Sequence, residues 1–327
     1  MKIFRRKSDY SKIVDSNDWI LPQDINVEPK LGIEVNHVEI EAWNLFLDRF
    51  PNLPQNHFDK LDQMALHGIP ENIRKKAYLI LTNSHNANQF PLPPLDDLPQ
   101  EMIDMNKNQI HNDVKRTYKC MLWMMKPENK ERSEKLLTHL MLSDAALGYS
   151  QGMNYFVPLF ASIMNDCKTY WTIYHLFHDE IHNQAYIMDP SMEGLMFHLK
   201  VHDVFLQAKI PKIYKIMKTL EIDPILYVPQ WMLTAGLGLS MPSSLVYLIL
   251  DRYVYFGQRS THSLILAFIK CQENLIAKAT QQKDIHEILN NFGNLFFETN
   301  LKDFIKNWDG LMIPSPDYTA VIAFVNK

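Results

Sequence analysis

Apolar residues in this chain recur three and four positions apart and almost nowhere alternate. A side chain returns to one face of an α-helix every 3.6 residues and to one face of a strand every second residue, so this spacing restricts the chain to helices. Pro70 stands at a natural first helical position with Glu71 behind it; Ile73, Ala77, Ile80 and Leu81 follow, and the pattern predicts a helix over 70–82. Leu136, Leu137, Leu140, Met141 and Leu147 form a second stripe, and Ile285, Ile288, Leu289, Phe292, Leu295 and Phe296 a third. Pro242, Ser243 and Ser244 before Leu245, Leu248 and Ile249 read as a helix start with an N-cap. The one ambiguous stretch, Thr319 to Val325, also suits a strand. No internal repeat of fixed period is present, and the predicted class is all-α.

Between the predicted helices, Ser84 to about Gln100 carries Pro91, Pro93, Pro94 and Pro99 and reads as a long surface connection. Residues 1–45 lack sustained periodicity and read as a partly ordered leader, with core structure beginning near Trp43; residues 311–327 read as a tail. Met1 to Lys7 is basic but no apolar segment follows, which is not the pattern of a secretory signal. The longest apolar stretches, near Tyr155 to Met164 and Leu245 to Leu250, fall short of a membrane span, so a soluble protein without an integral membrane segment is expected.

Composition narrows the function classes. Glycine supplies 10 of 327 residues, roughly 3%, against a typical usage near 7%. Neither GxGxxG nor GxxxxGK[ST] occurs, so the chain shows no nucleotide-binding loop of its own. Cys120, Cys167 and Cys271 are too few and too scattered for a disulfide framework or a CxxC zinc site and fit a reducing, cytoplasmic setting. The 33 Lys and Arg against 37 Asp and Glu leave a net charge of −4, so no bulk positive field drives nucleic-acid binding.

Two segments interrupt the apolar pattern with polar residues and glycine. The first runs Ile110-His111-Asn112-Asp113-Val114-Lys115-Arg116-Thr117, the second Gly148-Tyr149-Ser150-Gln151-Gly152-Met153-Asn154. Taken alone, each has a plain reading. Asp113 and Arg116, three apart, suit a surface ion pair, Gly148 a helix C-terminal glycine, and Gln151 a loop residue.

Together they carry a resemblance. Gly68-Ile69-Pro70 with Arg74, then Ile110-x-x-Asp113-x-x-Arg116-Thr117, then Tyr149-x-Gln151-Gly152-Met153 stand in the order and at roughly the separations of the TBC family of Rab GTPase-activating proteins. More weakly, Phe160 and Trp171 match apolar helix positions of the family, and Trp231, Pro242 and Asp251 match its third motif region. The likeness covers about residues 60–280 and implies a two-lobed helical domain over 46–310, with an N-terminal lobe of about 46–165 and a C-terminal lobe of about 166–310. It also implies that Arg116 acts as an arginine finger and Gln151 as a glutamine finger that orients water, both supplied in trans. Asp113 would hold Arg116, Gly152 would let the backbone approach the GTPase closely, and Ile110, Thr117 and Tyr149 would support the pair. The implied partner is a Rab-family GTPase in its GTP-bound state, which carries the GTP and Mg²⁺; this chain then has no cofactor of its own, does not hydrolyse GTP alone, and acts in vesicle traffic, compatibly with peripheral recruitment to endomembranes. Departures are Tyr78, where the family usually has tryptophan, and Trp231-Met232, Leu237 or Gly238, and Leu250-Asp251 in the third region.

Other readings compete. His175, His178 and His182, and His198 with His202, have spacings that could share a helix face and hold zinc, but they sit among Tyr174, Leu176, Phe177 and Ile181, as polar positions of an apolar helix do. Arg74-Lys75-Lys76 could form a phosphate or lipid patch, although the resemblance gives Arg74 a structural role. The alternative to a GTPase activator is a non-catalytic helical adaptor that binds a small GTPase or a trafficking partner in the same groove.

Overall fold

The computed structural model describes residues 37–87, 91–93, 100–119, 121–144, 147–239, 241, 243–290 and 301–326, and among these no strand occurs. In chain order the longer helices are α1 (His37–Leu47), α2 (Gln55–Leu66), α3 (Glu71–Leu81), α4 (Gln100–Arg116), α5 (Pro127–Ser143), α6 (Met153–Ala161), α7 (Asp166–His178), α8 (Glu193–Lys209), α9 (Pro211–Thr219), α10 (Ser243–Phe256), α11 (Gln258–Cys271), α12 (Gln282–Asn290), α13 (Leu301–Gly310) and α14 (Ser315–Val325). α4 and α6 both pack on α5, α8 packs on α9 and α14, and α13 lies against α11. α10 packs on α2, α3 and α11.

Local chemistry accounts for the element boundaries. α3 starts behind Pro70, whose extended backbone (φ −54°, ψ 136°) supplies the turn into the helix, and it buries Ile73, Ala77 and Tyr78. Pro127 sits at the first turn of α5, where a missing N–H costs nothing, and the Asn165 side chain caps α7 by accepting from Lys168 N–H at 3.0 Å. α1 begins inside the stretch expected as leader and buries Trp43, Phe46 and Leu47. Burying each such side chain contributes about 1.5–3 kcal/mol.

The ambiguous Thr319–Val325 stretch is helical. Pro314 holds an extended backbone before α14 and Asp317 occupies its first turn. Thr319 turns its hydroxyl back onto Ser315 O at 3.0 Å. Tyr318 then stacks on Phe205 of α8, with ring centroids 6.2 Å apart and planes 4° from parallel. Val321, Ile322 and Val325 of the same helix also pack against the core, so tertiary docking accompanies the helix in a segment whose propensities are divided. In the third apolar stripe Ile285 and Leu289 are buried in α12, while Phe292, Leu295 and Phe296, like Pro242 and most of the 84–100 connection, lie outside the described residues.

Two buried polar centres form on α8, α10, α11 and α13. Arg252, fully buried, reaches Asp309 at 2.5 Å, donates to Leu66 O and lies 4.0 Å over the Trp308 ring, fastening α13 to the end of α2. Burial pulls its guanidinium down to about 10, and the Asp309 carboxylate opposes that shift. The other centre is a column of histidines. His198 Nδ1 lies 3.0 Å from His262 Nε2, and the His202 ring stacks on His262 at 5.8 Å. Burial lowers His198 to about 4 and His202 to about 3, so the column is neutral.

Candidate functional site

The end of α4 is shaped by its inward face. Ile110, Asp113, Val114 and Thr117 share that face and are buried, while Arg116 stands off its edge with 52% of its side chain exposed. The helix stops because Tyr118 adopts a left-handed backbone (φ 42°). Its phenol, shared between Tyr155 O at 3.1 Å and Leu237 O at 3.0 Å, holds the turn in place. Arg116 therefore occupies the last turn, where a cation complements the helix dipole.

The second segment forms the turn into α6. Gly148 (φ 61°) and Gly152 (φ 124°) take backbone angles that L side chains rarely adopt, and Met153 N–H closes the turn on Ser150 O at 3.2 Å. A Cβ at Gly152 would collide with the Leu233 carbonyl and close on the Met188 side chain, so the close approach visible at this glycine is to the Leu233 backbone of the same chain. Gln151, one residue earlier, is exposed.

Buried bonds clamp the two segments together. Asp113 receives Arg116 Nη2 on one oxygen at 2.6 Å and the Tyr149 hydroxyl on the other at 2.7 Å. Burial and the hydrogen bond to Asp113 both push the Tyr149 phenol up, which keeps it a donor at neutral pH. Behind this clamp lies another: Gly152 N–H donates to Asn154 Oδ1 at 3.0 Å, and Asn154 Nδ2 donates to Thr117 Oγ1 at 2.7 Å. Thr117 in turn donates to Asp113 O at 2.6 Å. The structure thus brings Asp113, Arg116, Thr117, Tyr149 and Gly152 into one bonded joint, with Ile110 buried on the same face of α4. Arg116 and Gln151 are both exposed.

Arg74 serves elsewhere. It meets Asp251 at 2.9 and 3.1 Å and donates to Ile69 O at 3.0 Å; its guanidinium lies 4.8 Å from the centre of the Tyr247 ring. Desolvation works against its charge, but the Asp251 carboxylate prevails and holds the guanidinium above its ordinary value. Tyr78, which stands where the family usually has tryptophan, donates its hydroxyl to Asp251 at 2.5 Å. The basic triplet is divided, since Lys76 pairs with Asp48 at 2.7 Å. The first histidine group does not converge either: His182 binds Asp179 at 2.6 Å and Tyr253 O at 2.9 Å, and His178 packs on the Tyr174 ring. No set of three or more His, Cys, Asp or Glu among the described residues is arranged to hold a metal ion.

Sequence reasoning left two members of the joint unassigned. Asn154 was visible only as a polar residue at the start of an apolar helix, and Tyr118 gave no signal, because its partners are carbonyls 37 and 119 positions away.

Fold and site together define a class: an all-helical domain that offers an exposed arginine and an exposed glutamine from one buried joint. The Rab-GTPase-TBC domain family matches residues 71–277, more than half of the 327 residues, and the chain belongs to that family. It is 22% identical over 271 residues, covering 82% of this chain, to the GTPase-activating protein GYP5 of Eremothecium gossypii. To the Saccharomyces cerevisiae protein of the same name it is 21% identical over 233 residues, covering 70% of this chain. The chain spans 31% and 24% of the lengths of those two relatives. Its fold resembles the crystal structure of the Chlamydomonas flagellar RabGAP TBC domain (TM-score 0.61, 19% identity, 83% of this chain and 90% of that one). It also resembles the Ypt/Rab-GAP domain of Gyp1p (TM-score 0.64, 14% identity, 84% of this chain and 96% of that one). No helix among the described residues is long and apolar enough to cross a membrane.

Proposed function

We propose that this chain is a GTPase-activating protein that acts in trans on a Rab-family GTPase in its GTP-bound state. Arg116 supplies the cation and Gln151 the amide that the reaction needs. GTP hydrolysis is accelerated by positioning the attacking water and neutralising charge on the transferred phosphoryl group. A guanidinium suits the second task because it is permanently charged and forked. A carboxamide suits the first because it can donate to one group and accept from another. In this reading the GTPase brings GTP and Mg²⁺, and this chain needs no cofactor of its own. The domain then works where Rab proteins direct vesicle traffic, peripherally on endomembranes and from the cytoplasm.

The observation that carries the reading is the shared joint. Asp113 binds both Arg116 and Tyr149, so the arginine and the loop that bears Gln151 are held by one carboxylate. Single-turnover GTP hydrolysis against a panel of Rab proteins tests it. At least one Rab is expected to be accelerated by the wild type, not by Arg116→Ala, and still accelerated when its own switch glutamine is changed to alanine. Stimulation that survives Arg116→Ala, or a Rab glutamine variant wholly resistant to the wild type, would sink the two-finger assignment. Nucleotide-independent binding without stimulation of any Rab would favour an adaptor.

A further inference from the structure

The Asn154 side chain is buried in the joint, 1% exposed, and its hydrogen bonds run to Gly152 and Thr117 rather than to Arg116 or Gln151. Its bonding is fully directed. The Thr117 hydroxyl spends its only proton on Asp113 O, so toward Asn154 it can only accept. Asn154 must present its NH₂ to Thr117, which leaves its carbonyl oxygen for the Gly152 N–H. One amide therefore ties the residue after Arg116 to the residue after Gln151. Gly152 cannot hold the loop unaided, since its left-handed backbone is one of many that glycine accepts.

We infer that Asn154 is a positioning residue for the reaction, and that the Gly152–Asn154–Thr117 bridge sets where Gln151 stands relative to Arg116. The inference rests on the catalytic reading above and deepens it. Asp113 and Tyr149 fix the arginine and the start of the loop, whereas Asn154 fixes the far side of Gln151, so removing it frees the glutamine while leaving the arginine held. A misplacement of about 1 Å in a catalytic group can cost on the order of 10²-fold in rate. Because the fingers complete their geometry around the transferring phosphoryl group, that loss falls on kcat rather than on KM for the GTPase.

Two measurements on the full chain separate this role from plain stability. In hydrogen–deuterium exchange of the free protein, Asn154→Ala is expected to accelerate exchange over residues 148–153 while α5 and α10 keep their protection. In GTP hydrolysis with a Rab that the wild type stimulates, Asn154→Ala is expected to lower kcat by about 10²-fold with KM within about twofold. In a Gln151→Ala background the same substitution should cause no further loss. A purely structural role would instead lower the rate by the same factor in both backgrounds, and that result overturns the inference, as does unchanged exchange over 148–153. Thr117→Val, which keeps the side-chain volume and removes the acceptor, should reproduce both effects and carries the test if Asn154→Ala fails to fold. A wild type that stimulates no Rab defeats the catalytic reading, whereas the exchange arm still decides whether Asn154 holds the loop.

Discussion

The protein contains two Arg–Asp pairs of the same chemistry in opposite settings. Arg74–Asp251 is closed: the side chains are 8% and 2% exposed, and the guanidinium also meets a backbone carbonyl and an aromatic face. Arg116–Asp113 is half open: the carboxylate side chain is 4% exposed but the arginine 52%, so donors of its fork remain turned to water. A saturated guanidinium can only hold structure together, while an unsaturated one on an anchored carboxylate is available to a second anion. Burial of the aspartate is common to both, and burial of the arginine decides which task each pair performs.

Changing each arginine in turn is the sharpest way to break that contrast. Arg116→Ala is expected to lower stimulated hydrolysis by about 10³- to 10⁵-fold, on the order of 4–7 kcal/mol of transition-state stabilisation. Its unfolding free energy should fall by about 1–3 kcal/mol, the cost of one bond lost to a buried carboxylate that keeps its Tyr149 donor, which urea denaturation would measure. Arg74→Ala should do the reverse. It leaves the buried Asp251 charge unpaired, and about 3–5 kcal/mol of stability should be lost in the same denaturation experiment. A stable Arg74→Ala protein would mean that the closed pair is dispensable.

Tyr149→Phe tests the carboxylate that the half-open pair depends on. Removing a hydrogen bond to a charged, buried group should cost about 1.5–3 kcal/mol, read as a lower urea midpoint. The rate should fall as well, because Arg116 loses the partner that orients its anchor.

The histidine column supplies the neutral counterpart of the closed pair. His198 near 4 and His202 near 3 lie below their ordinary value of 6.5, so below pH 6.5 the unfolded chain takes up protons that the folded chain refuses. Stability from these residues is therefore complete above about pH 6.5 and declines as the pH falls toward 4, by about 1.4 kcal/mol per pH unit for each histidine. Thermal denaturation across that range should show the decline, and a His198→Gln/His202→Gln double variant should make it shallower, leaving the share of His262, which burial also holds well below its ordinary value.

The helical class was legible in the chain because it depends on local spacing, whereas the residues of both motifs were legible only through their likeness to a family, since taken alone Asp113 and Arg116 read as a surface ion pair and Gln151 as a loop residue. What was not legible depends on distance along the chain. Tyr78 reads as an aromatic core residue until its hydroxyl meets Asp251, 173 positions on. Asn154 reads as an ordinary helix-start residue until Thr117 is placed beside it. The Thr319–Val325 stretch carries no internal sign that Phe205 will receive Tyr318. Gly152 was visible as a glycine whose backbone something must approach, yet only the fold shows Leu233 pressed against it.

Arg252 bears on how the protein can be cut. A fragment trimmed to the matched stretch, 71–277, would lose the Asp309 carboxylate, the Trp308 ring and the Leu66 carbonyl at once, stranding a guanidinium in an apolar interior. Such a piece would retain every residue of the joint and still lack what neutralises its own middle. For recombinant work the smallest self-sufficient unit is then set by the helices that flank the motifs, from His37 through Val325, rather than by the extent of family likeness.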